Sequence, residues 1–300
     1  AARSAPAFFH VKDLFFTKKT MQNIKTSYLC GLMKKHLGAL LFFGLLMASL
    51  TACKSEFEQV RTSGNAELIL EKAFYYYDKQ QYQRALSLFD LVISVMRASD
   101  KSEETFYKYA WTHYNLKQYT LASYYFKNFS NTFINSVNRE EAAYMAAYCN
   151  YLQSPNFRLD QTNTLQAIDE FQTFANLVPN SKRVEECNRL IDECRRKLEA
   201  KAFFEGKQYY DMRLYQSAVI SFDNLLRDYP ESPDAERVMY LIAKADYLLS
   251  ENSVLDKKEA RYQETIARCN DFIEKYSRSK YADEIKSMRK AAEREISALR

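Results

Sequence analysis

Residues 202–232 read AFFEGKQYYDMRLYQSAVISFDNLLRDYPES, and the spacing within them decides the fold. Gly206, Tyr209, Tyr215, Ala218, Phe222 and Pro230 follow one another at intervals of 3, 6, 3, 4 and 8. Those intervals place the small and aromatic positions on facing sides of two consecutive amphipathic helices. Gly206 lets the first helix lie close against the second. Ala218 faces it, and Phe222, one turn further on, fills the space between them. Pro230 cannot continue a helix and ends the second one just after Tyr229. The grammar then recurs. Ala73, Tyr76, Tyr82, Ala85 and Phe89 repeat the 3, 6, 3, 4 spacing; Ala110, Tyr119, Ala122 and Phe126 follow, then Ala167, Phe171 and Pro179. A weaker fifth unit runs from Ala235 to Tyr276, with Tyr262, Thr265 and Cys269 at the Tyr, Ala and Phe places.

This order of small, aromatic, Ala, Phe and Pro positions resembles the tetratricopeptide repeat, a helix–turn–helix unit of about 34 residues. The anchors Ala85, Ala122, Ala167 and Ala218 lie 37, 45 and 51 residues apart, so extra residues separate the units. No alternating strand pattern occurs, and the expected fold class is all-α: a tetratricopeptide-like helical-hairpin solenoid of about five repeats over residues 65–300. Asn65 is the expected N-cap of its first helix. Interruptions are expected at Asn131–Asn138, Ser154–Thr164 and Glu251–Lys258. Residues 181–208 read as a long helical connection between the third and fourth units, and Ser279–Arg300 as a charged helix that caps the open end.

The N-terminal part has a different character. Residues 1–32 are basic, aromatic and aperiodic, and read as an over-extended N-terminal segment. Met33 opens a short positive stretch (Lys34, Lys35, His36) and an apolar run to Leu50, the layout of a signal peptide over 33–52. That run is short for a membrane span, which takes about 20 residues. Leu50-Thr51-Ala52-Cys53 resembles a bacterial lipobox, which implies an N-acyl (palmitate) and S-diacylglycerol lipid on Cys53, with residues 53–64 as the acylated tether. Two or more acyl chains anchor stably where one binds marginally. The absence of Asp directly after Cys53 favours an outer-membrane address by the same resemblance. The leader 1–52 carries seven Lys/Arg and a single acid, so 36 basic and 37 acidic residues remain from Cys53 onward, a net charge of −1. No basic field is left to attract nucleic acid.

Signals of catalysis are sparse. His113 is the one histidine after the leader and has no partner in the sequence for acid–base work. Only two glycines follow the leader, Gly64 and Gly206, which leaves no phosphate-cradling loop there. Cys187 and Cys194 lie about 10.5 Å apart if helical, beyond the roughly 7 Å that a disulfide spans; Cys149 and Cys269 fall on apolar faces and read as core. No metal-ligand spacing, catalytic residue or cofactor is expected. Tyr 23 and Phe 20 against one Trp matter by position. First helices of such repeats line the inner face, which here carries Phe74 and Tyr77, then Tyr107, Trp111 and Tyr114, and, in a second segment, Phe203, Lys207 and Tyr210. Rings with polar tips suit an extended, partly apolar peptide.

A lipobox followed by about five such units resembles the BamD/YfiO family, the lipoproteins of the outer-membrane β-barrel assembly machine. The phrases YQSAVISFDNLL (215–226), LLRDYPESPDAE (225–236) and FANLVPNSKRVEEC (174–187) look like that family's repeat ends. The resemblance implies a non-enzymatic lipoprotein on the periplasmic face of the outer membrane. Its implied partners are the barrel insertase BamA, the other lipoproteins of that machine, and the C-terminal signal of unfolded outer-membrane proteins. Thr265 and Cys269, in place of Ala and Phe, and the Ser154–Thr164 insertion depart from the family pattern. The alternative reading is a periplasmic repeat adaptor lipoprotein for cell-envelope or division proteins.

Overall fold

The computed structural model describes residues 55–300. The expectations for residues 1–54, the N-terminal extension, the signal peptide and the acylated Cys53 among them, lie outside the described residues. Within the stretch read as a tether, Glu56–Arg61 forms a short helix, α1, whose Ser55 Oγ accepts from the Glu58 N–H. Asn65 does cap the next helix: its Oδ1 accepts from the N–H groups of Glu67 (3.0 Å) and Leu68 (3.2 Å). Those are donors that the first turn of a helix leaves unpaired.

Eleven further helices follow: α2 (Ala66–Asp78), α3 (Tyr82–Val92), α4 (Ser102–Asn115), α5 (Tyr119–Thr132), α6 (Arg139–Gln153), α7 (Thr162–Leu177), α8 (Val184–Asp211), α9 (Tyr215–Asp228), α10 (Ala235–Glu251), α11 (Leu255–Lys275) and α12 (Ala282–Leu299). Among the described residues there is no strand. From α3 onward each helix packs on the next, so that α4 to α11 form helical hairpins with α12 laid over the last one. The repeat anchors make the seams. Ala85, Ala122, Ala167 and Ala218 are fully buried, as are Phe89, Phe126, Phe171 and Phe222. Tyr262, Thr265 and Cys269 occupy the matching places between α10 and α11 and are buried too. α12 buries Ala282, Ile285, Met288, Ala292 and Ile296 along one face and leaves Glu293, Arg294 and Lys290 on the other. That is the polar closure an open stack of repeats needs.

The long helix expected over 181–208 is present, but it is part of the packed units and not a connection between them. α8 is one helix of 28 residues, about 42 Å long at 1.5 Å per residue. Its N-terminal half puts Cys187, Leu190, Ile191 and Cys194 into the core shared with α4 to α7. Its C-terminal half brings Ala202, Phe203 and Tyr210 against the core of α9 to α12. The helix is therefore the shared first helix of the fourth unit and the spine between two cores. All four cysteines of the described residues are free and buried.

Two repeating devices set the geometry. Three of the hairpins turn through a residue in the left-handed region: Gln80 (φ 57°), Lys117 (φ 59°) and Arg213 (φ 62°). Each turn closes with paired backbone bonds, for example Arg213 N–H to Tyr210 O and Leu214 N–H to Tyr209 O, both 2.9 Å. None of the three is glycine, so each carries the steric cost of a Cβ at positive φ. Arg213→Gly is expected to raise stability by about 0.5–1 kcal/mol, seen as a higher thermal midpoint, while Arg213→Ala leaves the midpoint unraised; equal midpoints for both variants would contradict this account. The second device ties units together. Ser136 donates to Glu103 (2.6 Å), Ser181 to Glu140 (2.5 Å), Ser232 to Glu199, and Ser279 to Glu236 (2.5 Å). In each case the serine just before one helix grips a glutamate of the helix two places earlier in the chain. The same serine oxygens accept a backbone N–H two residues on, as in Asp234 N–H to Ser232 Oγ at 3.1 Å.

Candidate peptide-binding face

Of the first helices of the units, α2, α4 and α8 carry the predicted site residues, and the structure brings most of them into one strip. Lys108 of α4 joins the first two units: its Nζ stands 4.6 Å from the Phe74 ring centroid and 5.3 Å from that of Tyr77. Phe74 leans on the core ring of Phe89 (5.9 Å) and Tyr77 packs edge-on to Tyr82 (5.7 Å). Burial, with Tyr82 and Tyr107 alongside, pushes the Tyr77 hydroxyl up to about 12, so it stays protonated and able to donate. In α4, Tyr107 and Trp111 lie edge-to-face at 6.2 Å, and Trp111 and Tyr114 at 5.2 Å. All five rings are half-buried. Tyr107 and Trp111 rest on Phe126 (6.4 and 5.2 Å), so each is part core and part surface.

The second predicted segment is separate along the chain. Phe203 touches Phe222 at 5.9 Å, Lys207 pairs with Asp211, and Tyr210 packs on Tyr215 at 5.8 Å. Between the two segments the structure adds rings that spacing alone did not single out. Tyr144, Tyr148 and Tyr151 of α6 stack in sequence, at 5.7 Å and 15°, then 5.8 Å and 24°. Arg183 stands over the outer face of this row, 4.1 Å from the Tyr144 centroid. Their 4- and 3-residue spacing puts them on one helical face. The insertion after Gln153 hid this, because it displaces the third unit's anchors from the interval used in the others.

The profile of a family described as "YfiO: Outer membrane lipoprotein" matches residues 63–204 and 206–297, most of the chain. The chain belongs to the YfiO family. It is 28% identical over 263 residues to a protein of Aquifex aeolicus (strain VF5) assigned as outer membrane protein assembly factor BamD, covering 86% of this chain and 81% of the relative. Among solved structures, a chain of nearly identical TPR-like repeats from Podosopora anserina is 14% identical, covers 71% of this chain and 98% of its own, and has a TM-score of 0.29. The apo form of RapI is 15% identical, with 86% and 80% covered and a TM-score of 0.33.

Membership of YfiO places the chain among outer-membrane lipoproteins at the level of the family. No described helix is long and apolar enough to cross a membrane. His113 of this YfiO chain is a packing residue. It is buried, stacks on Tyr125 (5.1 Å, 14°), and places Nδ1 2.6 Å from Gln118 Oε1. Burial holds its pKa below the ordinary histidine value, which keeps the ring neutral. Among the described residues, no cluster of His, Cys, Asp or Glu is arranged to hold a metal ion.

Proposed function

We propose that this YfiO protein is a non-enzymatic, lipid-anchored component of the machinery that assembles β-barrel proteins in the outer membrane. The inner face of its first two units captures the C-terminal signal of unfolded barrel proteins, and its C-terminal units hold a BamA-like insertase. Acylation of Cys53 ties it to the membrane. The process comes from the assembly factor of Aquifex aeolicus that the chain resembles over most of its length. One observation supports the recognition step: Phe74, Tyr77, Tyr107, Trp111 and Tyr114 form a continuous strip bridged by Lys108. Half-buried rings whose cores are already fixed offer contact area at little entropic cost. An extended strand would lay alternate side chains on such a strip while its backbone met the tyrosine hydroxyls.

Trp111 is the single tryptophan of the chain, so its emission reports on the strip directly. Titration with an extended peptide of alternating apolar residues ending in Phe is expected to shift that emission. Tyr77→Ala and Tyr114→Ala are each expected to weaken binding about tenfold or more, the loss typical of a central aromatic anchor. Unchanged affinity in both variants, with an unaltered thermal midpoint, would sink the strip as the binding site. A detergent pull-down that recovers division or cell-wall proteins and no β-barrel insertase would overturn the assembly role.

A further inference from the structure

Cations recur over the rings of the first helices, and most are neutralised where they stand. Lys108, over Phe74 and Tyr77, is paired with Asp78 (3.3 Å) and Glu104 (3.2 Å). Arg183, over Tyr144, is paired with Glu141. Lys207, over Tyr210, is paired with Asp211, and Lys244, over Tyr240, with Glu284 (2.9 Å). Ring, cation and carboxylate close on themselves, leaving little net charge for a ligand.

Across the middle of α8 that pattern breaks. Arg237, in the first turn of α10, stands 4.7 Å from the Phe203 centroid. Arg158, in the loop between α6 and α7, stands 5.0 Å from Phe204 and 5.5 Å from Phe157. Among the described residues neither guanidinium makes a hydrogen bond or an ion pair, and the same holds for the exposed Arg196, seven residues before Phe203 on α8. A guanidinium lying on a ring uses its face and keeps its in-plane N–H donors, the geometry that takes a carboxylate with two bonds. Three of the nearby carboxylates are already engaged. Glu199 accepts from Ser232, Glu236 from Ser279, and Asp160 from the Thr162 N–H.

The loop that presents Arg158 is fixed. Lys197 donates to Ser154 Oγ (2.5 Å) and Lys201 to the Leu159 carbonyl (3.0 Å), while Gln161 Nε2 holds the carbonyls of Asn156 (2.9 Å) and Leu159 (3.0 Å). Phe204 meets Phe157 at 5.8 Å on the loop side, and Phe203 meets Arg237 on the α10 side. The two phenylalanines, adjacent in sequence, diverge by about 100° on the helix. α8 therefore forms a saddle whose two flanks each end in an arginine on a ring.

We infer that this saddle binds an acidic, aromatic-bearing segment of extended polypeptide, with carboxylates on Arg158 and Arg237 and apolar side chains over Phe203 and Phe204. The inference rests on the peptide-capture reading and adds a charge preference to it, at a second position, on α8. A chain crossing α8 reaches both arginines only if its acidic groups are spaced along an extended backbone.

The test uses the whole protein, in detergent, and a labelled peptide of about twelve residues with alternating Phe and Asp, compared by anisotropy with its Asn twin. At low salt the Asp peptide is expected to bind about tenfold tighter, with the gap narrowing as salt rises. Arg158→Gln and Arg237→Gln are each expected to shrink the gap at least about threefold, and Arg189→Gln, at an exposed arginine paired with Glu186 and Glu193, to leave it unchanged. Equal binding of the twins would overturn the charge preference and leave peptide capture standing. Failure of both peptides to bind would overturn capture itself. Arginine-dependent binding to phosphatidylglycerol vesicles, with no difference between the twins, would overturn the inference in favour of a membrane surface.

Discussion

Gly206→Val is expected to destabilise the protein by about 3 kcal/mol or more, the upper range for overpacking a filled core. The reason is one contact. A Cβ on Gly206 would lie 2.6 Å from both Cδ1 and Cε1 of Phe222, and 3.1 Å from its Cγ. Phe222 cannot retreat. It is fully buried between Ala218, Leu225 and Val238, and Phe203 abuts its ring. Helix propensity works in the opposite direction, since glycine inside a helix costs about 1 kcal/mol relative to alanine. Gly206→Ala thus sets a propensity gain against a clash and is expected to lose about 1 kcal/mol net, whereas valine adds bulk with no such gain. Phe222→Leu should recover at least half of the Gly206→Val loss. That coupling, measured by urea unfolding followed at a helical circular-dichroism band, is what independent sites would not show. Additive losses, or a Gly206→Ala variant more stable than the parent, would mean that the helices do not meet as closely as this.

The same pair explains why so much of the fold was legible. A repeat seam needs a small residue opposite a large one at fixed helical intervals, and Gly206, Ala218 and Phe222 supply that pattern within 17 residues of sequence. Local spacing was enough to place Ala85, Ala122 and Ala167, all fully buried. It also placed Cys269, a buried thiol pushed up to about 12 by its surroundings and so a packing group. Features that depend on distant residues were not legible. The Ser232–Glu199 and Ser279–Glu236 bonds join residues 33 and 43 apart, and no local pattern marks either partner. The left-handed turns at Gln80, Lys117 and Arg213 lacked the glycine that would have announced them. α8 reads as a connection in the sequence because its two halves bury faces against different neighbours, and a single interval describes only the second half. On the inner face, the ring positions Phe74, Tyr77, Trp111 and Phe203 followed from the repeat. Which cations would cover them, and which of those would lack an acid, depended on neighbouring units.

Arg268→Met is expected to cost about 3–5 kcal/mol at pH 8, the range for removing one partner of a buried ion pair, and distinctly less at pH 5. Arg268 of α11 binds Asp223 of α9 with two nitrogens (3.1 and 2.8 Å), lies 3.2 Å from Glu264, and sets Nε 3.6 Å from Asp246 Oδ2. Asp246 of α10 is only 6% exposed, and its Oδ2 has no hydrogen-bond partner among the described residues. Burial raises its pKa to about 6, Arg268 opposes the rise, and Glu264 and Asp223 add to it. The sign follows from proton linkage. A carboxyl whose folded pKa lies above the unfolded value of about 3.9 binds its proton more tightly in the native state. Its contribution to stability is therefore most favourable at low pH and is lost as pH rises through about 6. Without Arg268 the folded pKa moves higher still, so the stability of the variant falls more steeply between pH 5 and 8 than that of the parent. Asp246→Asn keeps the shape and removes the charge. It should flatten that slope and, combined with Arg268→Met, restore much of the loss at pH 8, because Asp223 and Glu264 are solvated enough to stand unpaired. Chemical unfolding of the four proteins at the two pH values decides the matter. An Arg268→Met cost that is the same at both, and is not relieved by Asp246→Asn, would assign the whole effect to lost packing and leave the buried carboxylate with no part in it.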